Sequence, residues 1–364
     1  MDGNAKYDAA QQCNQGITAL RPEPAPAGRE AIGARPGDRR PVFEDAVCEL
    51  CGQPPTEPVL TGLYDIAWKK PGKFDLLRCK HCDLILTSPR PVPAAMPIYY
   101  EDWYGYKTPD EVLKEQRDSL PNRFIKHMRL DVLEKTGWLQ RGAKLLDVGA
   151  GFGVQLEYFI QERGVVGTSL DFDPKTAEHS VVKGIANVRT GDLLDAGFAA
   201  KSFDVITMYE TLEHVYHPKA TLDEAYRILK PGGRLVVEVP DFGSPLRKLF
   251  GRFWFALMVP AHLHHFTKRS LRDVVTAAGF EPIRQTAMFV PFETTASLLL
   301  AYCHWSGASI YDVSRLSRLV KQRARHLPFF LCLALCTFLV DLPLQAMLAT
   351  LRKTGAQTLI AVKP

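Results

Sequence analysis

The residues with the clearest chemical potential are an acid and three glycines at the end of an apolar run. Residues 144–153 read Lys-Leu-Leu-Asp-Val-Gly-Ala-Gly-Phe-Gly, so that Asp147 is followed by Gly149, Gly151 and Gly153. An apolar run that ends in glycines predicts a buried strand and a tight turn, where the backbone can approach a ligand without a Cβ in the way. Apolar positions at helical spacing follow. Strand, turn and helix together predict the crevice at which doubly wound α/β proteins bind nucleotide-like ligands.

The acid at position 147 distinguishes this turn from the dinucleotide-binding fingerprint. That fingerprint is Gly-x-Gly-x-x-Gly, whereas this turn reads Asp-x-Gly-x-Gly-x-Gly. A carboxylate ahead of the first glycine would repel a pyrophosphate bound at the helix N-terminus. It suits a ligand that presents a cation or hydroxyl groups, which favours S-adenosylmethionine over NAD.

Three further apolar segments are each followed by an acid, which extends the pattern along a parallel sheet. The acids stand at the ends of these segments: Asp171 after 165–170, Asp192 after 188–190 and Glu210 after 203–208. Asp171 lies 24 positions after Asp147, close to the roughly 20-residue offset at which an acid meets a ribose in such folds. We expect these acids to converge with Asp147 on one crevice.

Taken together, these motifs resemble the class I S-adenosylmethionine-dependent methyltransferases. The similar segments lie between about 120 and 290: Leu-Asp-Val-Gly-Ala-Gly-Phe-Gly at 146–153, Phe-Asp-Pro after Asp171, Gly-Asp at 191–192, Phe-Asp-Val-Ile at 203–206, Leu-Glu-His-Val at 212–215, Leu-Lys-Pro-Gly-Gly at 229–233, His-His-Phe-Thr at 264–267 and Ala-Gly-Phe at 278–280. The resemblance implies a doubly wound, Rossmann-like α/β sheet of seven mostly parallel strands. It also implies an antiparallel last strand near 358–362.

The resemblance implies a role for each residue of the predicted cofactor site. The cofactor-binding set that we expect is Asp147, Gly149, Gly151, Gly153, Asp171, Asp192, Leu193 and Glu210. Asp147 would orient the turn, and Asp171, rather than Asp173, would accept hydrogen bonds from the ribose hydroxyls. Asp192 and the Leu193 amide would bind adenine, and Glu210 would line the crevice near the methyl donor. Singly, each acid would more often be a cap or a surface charge.

The general base is less well defined by the sequence. His214 follows the fourth strand and is a candidate, although a histidine in this segment is often a structural link. His265 forms a cluster with His262 and His264, which could supply a base, a metal site or a hydrogen-bond network at a helix entry. We take His214 and His265 as the catalytic candidates.

Two Cys-x-x-Cys pairs precede this region and have the residue types of a metal site. Their four cysteines are Cys48, Cys51, Cys79 and Cys82. Two such pairs can place four thiolates around Zn²⁺, with Gly52 and Asp83 in the knuckle turns. A redox pair or disulfides are the alternatives. We expect a structural zinc ion, and the resemblance agrees, because a zinc-binding segment precedes the catalytic domain in some natural-product and sugar methyltransferases.

Five regions follow from these patterns. They are a disordered leader at 1–42, a zinc-ribbon-like module at 43–90, an aromatic bridge and helix at 91–140, the methyltransferase core at 141–290 and 356–364, and an apolar helical insertion at 291–355. The bridge is rich in tyrosine between Tyr99 and Tyr106. These rings either pack the module onto the core or form a lid over the pocket.

The insertion has the composition of a membrane-surface segment. Residues 327–340 carry no acid or lysine or arginine, and basic residues stand on both sides. So short a helix cannot cross a hydrocarbon core of about 30 Å. We expect either peripheral membrane contact through 314–353 or a helical cap on the core. The apolar segment Phe250–Pro260 would be a second membrane contact or a wall of the substrate pocket.

Composition narrows the remaining possibilities. The 364 residues include 45 basic and 40 acidic side chains, a net charge of +5 that does not favour a nucleic-acid partner. No pattern of a secretory signal is seen, and eight cysteines in such a chain point to a reducing compartment. We expect a cytoplasmic protein, located at the inner face of the membrane if the insertion binds lipid.

These observations favour methyl transfer from S-adenosylmethionine to oxygen or carbon of a small or lipid-linked acceptor. A dinucleotide-dependent oxidoreductase is one alternative, which Asp147 and the glycine spacing oppose. The other is a non-catalytic zinc-ribbon interaction protein with a degenerate cofactor fold, which the intact acids oppose.

Overall fold

The computed structural model of the protein describes residues 41–100, 108–135, 137, 139–310, 332, 335 and 337–364. The predicted leader at 1–42 lies outside the described residues apart from its last two positions. The bridge tyrosines after Tyr100 and the basic residues between 315 and 325 also lie outside them.

The N-terminal region contains five short strands. They are β1 (Phe43–Glu44), β2 (Glu57–Leu63), β3 (Phe74–Arg78), β4 (Ile85–Ser88) and β5 (Arg90–Pro91). β2, β3 and β4 form an antiparallel meander, and β1 pairs with β5. Buried Phe74 and Leu76 alternate with less buried residues in β3, which is the period of two expected when one face of a strand is packed.

Three helices connect this region to the main sheet: α1 (Pro97–Tyr100), α2 (Pro109–Asp118) and α3 (Leu120–Glu134). Thr108 begins α2 with a capping box, in which its side chain accepts from the Glu111 amide and Glu111 bonds back to Thr108. The Ser119 side chain caps α3, and Pro121 lies in the first turn, where no amide proton is needed. Within the segment 91–140, where the sequence predicted a bridge and a helix, the structure has α2 and α3.

Eight further strands follow. They are β6 (Lys144–Val148), β7 (Val166–Asp171), β8 (Asn187–Thr190), β9 (Phe203–Tyr209), β10 (Leu229–Pro240), β11 (His264–His265), β12 (Glu281–Met288) and β13 (Ala356–Val362). All except β11 form one sheet in the order β12-β13-β10-β9-β6-β7-β8. β13 is antiparallel to both of its neighbours, and the other pairings are parallel. The predicted seven-stranded, mostly parallel sheet is confirmed.

The helices that cover this sheet are α4 (Val154–Arg163), α5 (Pro174–Glu178), α6 (Pro218–Ile228) and α8 (Lys268–Ala277). Between α6 and α8, the short helix α7 (Pro245–Phe250) instead buries Leu246 in the cluster that contains Phe74 and Trp254. α8 is amphipathic and buries Leu271, Val274 and Val275, which share one face at spacings of three and four. Thr267 caps α8 by accepting from the Ser270 amide.

The start of β10 contains residues that are typical of a turn. Pro231, Gly232 and Gly233 have this character, yet β10 already starts at Leu229. Its pairing with β9 is interrupted between Leu229 and Arg234, and Gly232 adopts a φ of 75°. The turn residues therefore form an irregularity inside the strand, as a bulge does.

The order of the strands defines where a ligand can bind. From β6 the chain proceeds to β7 and β8 on one side, and then returns to β9 and β10 on the other. Such a reversal opens a crevice at the carboxyl ends of the two central strands. Leu145 and Leu146 of β6 and Val205 and Ile206 of β9 are fully buried, so that the floor of the crevice is packed and rigid.

The N-terminal region shares a sheet and a core with the main domain. β11 pairs antiparallel with β4, which adds it to the edge of the N-terminal meander. Cys48, Cys79 and Leu84 pack in the same cluster as Leu222 and Phe266. The cysteine-containing region is therefore fixed against the sheet.

The C-terminal insertion contains α9 (Glu293–Ser306), a π-helical turn (Thr337–Asp341) and α10 (Leu342–Thr350). Buried Glu293 accepts a hydrogen bond of 2.6 Å from the Trp254 indole, and Asp341 accepts from the Thr295 amide at 2.8 Å. The first contact fixes the insertion to the segment that contains Trp254, and the second joins two parts of the insertion to each other.

The outer face of the insertion is apolar. Exposed side chains on it are Leu335, Leu339, Val340, Met347 and Leu351. Within the described ranges, no helix combines the length and the apolar character needed to cross a membrane.

Candidate active site

The glycine turn after β6 has the conformation that its sequence predicted. Gly149, Gly151 and Gly153 have φ angles of 70°, 54° and 79°, a region that side chains rarely adopt. A Cβ at Gly149 would lie 2.3 Å from Thr211 Oγ1, whereas a Cβ at Gly151 would have no atom within 4 Å. Gly149 is thus required for packing, and Gly151 faces open space in which a ligand can approach the backbone.

Asp171 is held beside this turn. Its Oδ2 accepts from the Gly151 amide at 2.7 Å, and its Oδ1 accepts from the Asp173 amide at 3.0 Å. Burial raises the pKa of Asp171, and the amide hydrogen bonds oppose that rise. The carboxylate is therefore fixed in orientation, and each oxygen retains a lone pair for a ligand hydroxyl. Asp173 instead caps α5.

Asp147 lies within the sheet rather than in the open crevice. The residue is 2% exposed, and its Oδ1 accepts from the Thr207 hydroxyl at 2.7 Å. Burial raises its pKa to about 6, partly opposed by Thr207 and Arg129. This position beneath the turn supports the predicted orienting role.

Asp192 and Leu193 follow β8 at the same edge of the sheet. The Asp192 side chain is exposed and accepts from the Leu194 amide at 2.8 Å, which shapes the loop. The Leu193 side chain is buried in the main core, so only its backbone amide could serve a ligand.

Two aromatic rings border this crevice. Phe172 follows Asp171 directly and is 57% exposed, and its ring lies 5.2 Å from that of Tyr100. An exposed ring beside a ribose-binding acid can stack on a purine. Phe172 was present in the motif but had no predicted role; its position after a strand-ending acid was the available signal.

The bridge tyrosines divide between the two expected roles. Tyr99 is buried against Phe74 and donates to the Pro71 carbonyl, so it packs the N-terminal region. Tyr100 instead reaches the crevice, with its hydroxyl 3.0 Å from His214 Nδ1.

Glu210 follows β9 in a strained conformation. Its φ is 51°, a left-handed value that is uncommon for a residue with a side chain. The residue is exposed, yet partial desolvation by the surrounding protein and the charge of Glu238 raise the pKa of its carboxyl to about 8. Glu210 thus stands directly after β9, at the carboxyl end of a central strand.

His214 is the candidate base closest in sequence to Glu210. Its Nδ1 lies 3.0 Å from the Ala261 carbonyl oxygen, so this nitrogen carries the proton and donates it. Burial lowers the pKa of His214 to about 4. The ring is therefore neutral at physiological pH, which is the state that a general base needs, although a weak one.

His265 has a different environment. It lies in β11 with its Nε2 3.1 Å from Thr87 Oγ1, and Thr87 in turn donates to the His262 carbonyl. Thr87 must therefore accept from His265 Nε2. Burial lowers the pKa of His265 to about 3. The structure places His265 between the main sheet and the N-terminal meander and brings His262, rather than His265, beside His214.

The four predicted metal-ligating cysteines come together. Sulfur atoms of Cys48, Cys51, Cys79 and Cys82 lie within 4.8 Å of one another, and all four are free of disulfides. Gly52 and Asp83, which the sequence placed in the knuckle turns, have left-handed φ angles of 71° and 59°.

The thiol chemistry of this cluster suits a cation. A hydrogen bond from Cys82 lowers the pKa of Cys48 to about 6, whereas burial raises the pKa of Cys51 to about 12. In the protein alone, Cys48 therefore ionises readily, whereas Cys51 stays protonated. A bound Zn²⁺ would stabilise all four thiolates.

An apolar cavity of about 370 Å³ lies next to the candidate site. Its lining includes Leu63, Ile66, Trp68, Trp254, Met258 and Leu300. The segment 255–259 forms one wall, and the Ala261 carbonyl that holds His214 follows two residues later. The apolar segment Phe250–Pro260 therefore lines a pocket, as one of its two sequence interpretations expected.

A buried ion pair supports the floor of the crevice. Arg129 of α3 donates to Glu238 of β10 at 3.0 Å, and its guanidinium lies 4.3 Å from the centre of the Tyr209 ring. The other Glu238 oxygen accepts from Thr358. Sequence reasoning missed this pair, because its partners lie 109 positions apart in segments without a motif.

Comparison with known proteins agrees with this arrangement. Residues 114–285 match a family described as a methyltransferase domain. The chain is 34% identical over 148 residues to a ubiquinone biosynthesis O-methyltransferase from Vibrio atlanticus, covering 38% of this chain and 58% of that protein. It is 33% identical over 132 residues to the ubiquinone/menaquinone biosynthesis C-methyltransferase UbiE of a Ruegeria species, covering 32% of this chain and 52% of that protein.

Solved structures are more distant. A SAM-dependent methyltransferase from Methanosarcina mazei aligns with a TM-score of 0.37 and 20% identity, covering 44% of this chain and 90% of that chain. With respect to the two curated relatives described above, the chain spans little more than half of their length.

Proposed function

Because residues 114–285 match a methyltransferase-domain family, we propose that the protein transfers a methyl group from S-adenosylmethionine to oxygen or carbon of a small or lipid-linked acceptor. The observation that carries this proposal is the open space over Gly151 beside the fixed carboxylate of Asp171. A glycine whose missing Cβ leaves room for a ligand, next to an oriented acceptor of hydroxyl hydrogen bonds, fits an adenosyl group.

When bound, S-adenosylmethionine supplies a methyl group on a positively charged sulfur. Asp171 would accept hydrogen bonds from the ribose hydroxyls, and Phe172 would stack on the adenine near Asp192 and the Leu193 amide. Asp147, bonded to Thr207 of the neighbouring strand, would orient the glycine turn that follows it. Glu210 would line the side of the crevice where the sulfonium is expected, and the positive sulfur would favour the ionised form of this carboxyl, whose pKa is raised to about 8 in the protein alone.

His214 and His265 remain our candidates for proton transfer, but they differ in their access to the crevice. His214 lies after β9 beside Tyr100 and keeps some exposure, whereas His265 is 4% exposed and bonded to Thr87. His214 is therefore the better placed of the two for an acceptor in the crevice.

The apolar cavity supports an acceptor with an apolar body. A volume of about 370 Å³ holds a small molecule or part of a lipid chain. The names of the two similar proteins described above refer to ubiquinone and menaquinone biosynthesis. An acceptor of that kind is compatible with the volume and the apolar lining of the cavity.

We also propose that the four-cysteine cluster binds a structural Zn²⁺. The cluster is partly buried and shares the main core, so the ion would stabilise the fold rather than take part in chemistry. The Glu49 side chain of the first knuckle contacts His217, which precedes α6. The zinc module would in this way fix the segment that follows β9.

Peripheral membrane contact is proposed for the outer face of the insertion. Leu339 and Met347 are exposed on it, and Arg352 and Lys353 follow. An apolar face with basic neighbours suits an anionic surface such as the inner leaflet. Flotation with phosphatidylglycerol vesicles should decrease for Leu339→Gln/Met347→Gln. An equal decrease for Leu249→Gln/Ile185→Gln, two exposed apolar residues outside this face, would contradict the assignment.

Calorimetric titration tests the central proposal. We expect heat of binding with S-adenosylmethionine and with its demethylated product, and none with NADH. Binding of NADH without binding of S-adenosylmethionine would instead support an oxidoreductase.

A further inference from the structure

A buried carboxylate behind the candidate active site lacks a hydrogen-bond donor in the described part of the chain. Glu213 is 1% exposed, and neither of its side-chain oxygens accepts a hydrogen bond from any described residue. A buried polar group without a partner costs several kcal/mol, and a carboxylate costs more. Such a group in a native fold indicates that something absent from the polypeptide satisfies it.

Two histidines present the complementary atoms to this carboxylate. His214 Nδ1 lies 3.0 Å from the Ala261 carbonyl, and His262 Nδ1 lies 2.9 Å from the Ala256 carbonyl. Because a carbonyl oxygen only accepts, both Nδ1 atoms carry their protons. Both Nε2 atoms therefore bear lone pairs. They lie 3.9 Å and 4.0 Å from Glu213 Oε1.

In this arrangement, lone pairs of the Glu213, His214 and His262 side chains face one another. The two imidazole rings are 4.5 Å apart at their centres, and one donor atom from each of the three residues falls within 4.8 Å of the others. Lone pairs that face a carboxylate at this distance repel it unless a cation lies between them. Histidine ligands of metals characteristically donate their second ring proton to a backbone carbonyl, as both rings do here.

We propose that Glu213, His214 and His262 together bind one divalent transition-metal ion of the Zn²⁺ or Fe²⁺ class. Donor atoms around a tetrahedral Zn²⁺ stand about 3.4 Å apart, from bond lengths of about 2.0–2.2 Å. The observed 3.9 Å and 4.0 Å require a contraction of only about 0.5 Å. Because Mg²⁺ and Ca²⁺ prefer oxygen ligands, a site with two imidazole nitrogens favours a transition-metal ion over either of them.

Three protein ligands leave at least one coordination position open. His214 is the most exposed of the three residues and contacts Tyr100 at the crevice, so the open position faces that side. This part of the inference rests on the proposed methyl transfer. The ion would bind an acceptor hydroxyl and lower its pKa, so that the proton passes to solvent. The oxygen then forms a bond to the methyl carbon as the carbon–sulfur bond breaks, and the electron pair stays on sulfur. His214 acts in this case as a ligand and not as the base.

Metal counting tests the site independently of activity. Protein stripped with a strong chelator is reloaded with Zn²⁺, separated from free ions by gel filtration and analysed for zinc per chain. We expect wild type to retain one ion more than Glu213→Gln and His262→Gln. Glu178→Gln and His179→Gln, which change exposed residues of the same types, should retain the wild-type count. Equal zinc in wild type and in the two site variants would overturn the proposal.

Thermal unfolding distinguishes loss of the ligand from loss of the fold. In the chelator-stripped protein, Glu213→Gln removes an unpaired buried carboxylate, so its Tm should equal or exceed that of wild type. Added Zn²⁺ should raise the Tm of wild type by more than that of Glu213→Gln. A lower Tm of the stripped variant, or equal shifts with Zn²⁺, would overturn the proposal. Metal binding without methyl transfer to any acceptor would reject the proposed function and leave the site intact.

Discussion

A methyl group added at Gly151 tests the position of the cofactor with the least disturbance of the protein. A Cβ at this residue would meet no atom within 4 Å, so Gly151→Ala creates no clash inside the chain. The added group would project into the space that we assign to the ligand.

The expected stability cost follows from the backbone alone. The φ of Gly151 is 54°, and an alanine in this left-handed region costs about 1–2 kcal/mol. Gly142 provides a matched control, because its φ is 82° and a Cβ there would also meet nothing within 4 Å. Gly142→Ala should therefore lower the free energy of unfolding by a similar amount.

The two variants should differ in cofactor binding. In Gly151→Ala the added methyl group prevents close approach of the ligand to the backbone. We therefore expect the Kd for S-adenosylmethionine to rise at least tenfold, which is a loss of about 1.4 kcal/mol in binding free energy. Gly142→Ala, in a turn before β6, should bind as wild type does. Calorimetry at fixed pH measures both affinities, and urea unfolding measures both stabilities. Equal Kd values in the two variants would refute the placement of the ligand over the glycine turn.

Three further predictions concern the surroundings of the site. Glu238→Gln leaves buried Arg129 unpaired and should lower the free energy of unfolding by about 3–5 kcal/mol in urea titrations; a loss below about 1 kcal/mol would show that the pair is dispensable. Cys79→Ser should remove one zinc ion per chain, and an unchanged zinc content would contradict a four-cysteine site. Burial raises the pKa of Asp147 from 3.8 to about 6, so the folded state binds this proton more tightly than the unfolded state. The stability of wild type should accordingly fall as pH rises from about 4 to about 6, by up to about 3 kcal/mol from this group. Asp147→Asn should remove that part of the slope, and an unchanged slope would argue against the shift.

The parts of the fold that the sequence predicted are those set by local chemistry. An apolar run ending in glycines specified β6 and its turn, and the helical spacing of the apolar residues after it specified α4. The knuckle residues Gly52 and Asp83 likewise adopt the left-handed conformation that such turns need. Each of these features depends on a few adjacent residues.

Contacts between distant segments could not be read in the same way. Glu213 and His262 lie 49 positions apart, and only the folding of 256–262 against the segment after β9 brings them together. β11 pairs with β4 although the intervening sequence contains most of the main sheet. The division of Tyr99 and Tyr100 between packing and crevice also depends on tertiary contacts. The residue types suggested a role for these segments, but they did not show which other segments would contact them.

A crystal structure of the protein with S-adenosylhomocysteine tests the central claim most directly. The account predicts the adenosyl group over Gly151, with both ribose hydroxyls within hydrogen-bond distance of the Asp171 carboxylate. Density for the ligand at any other place, with the Asp171 oxygens bonded only to the amides of Gly151 and Asp173, would contradict it.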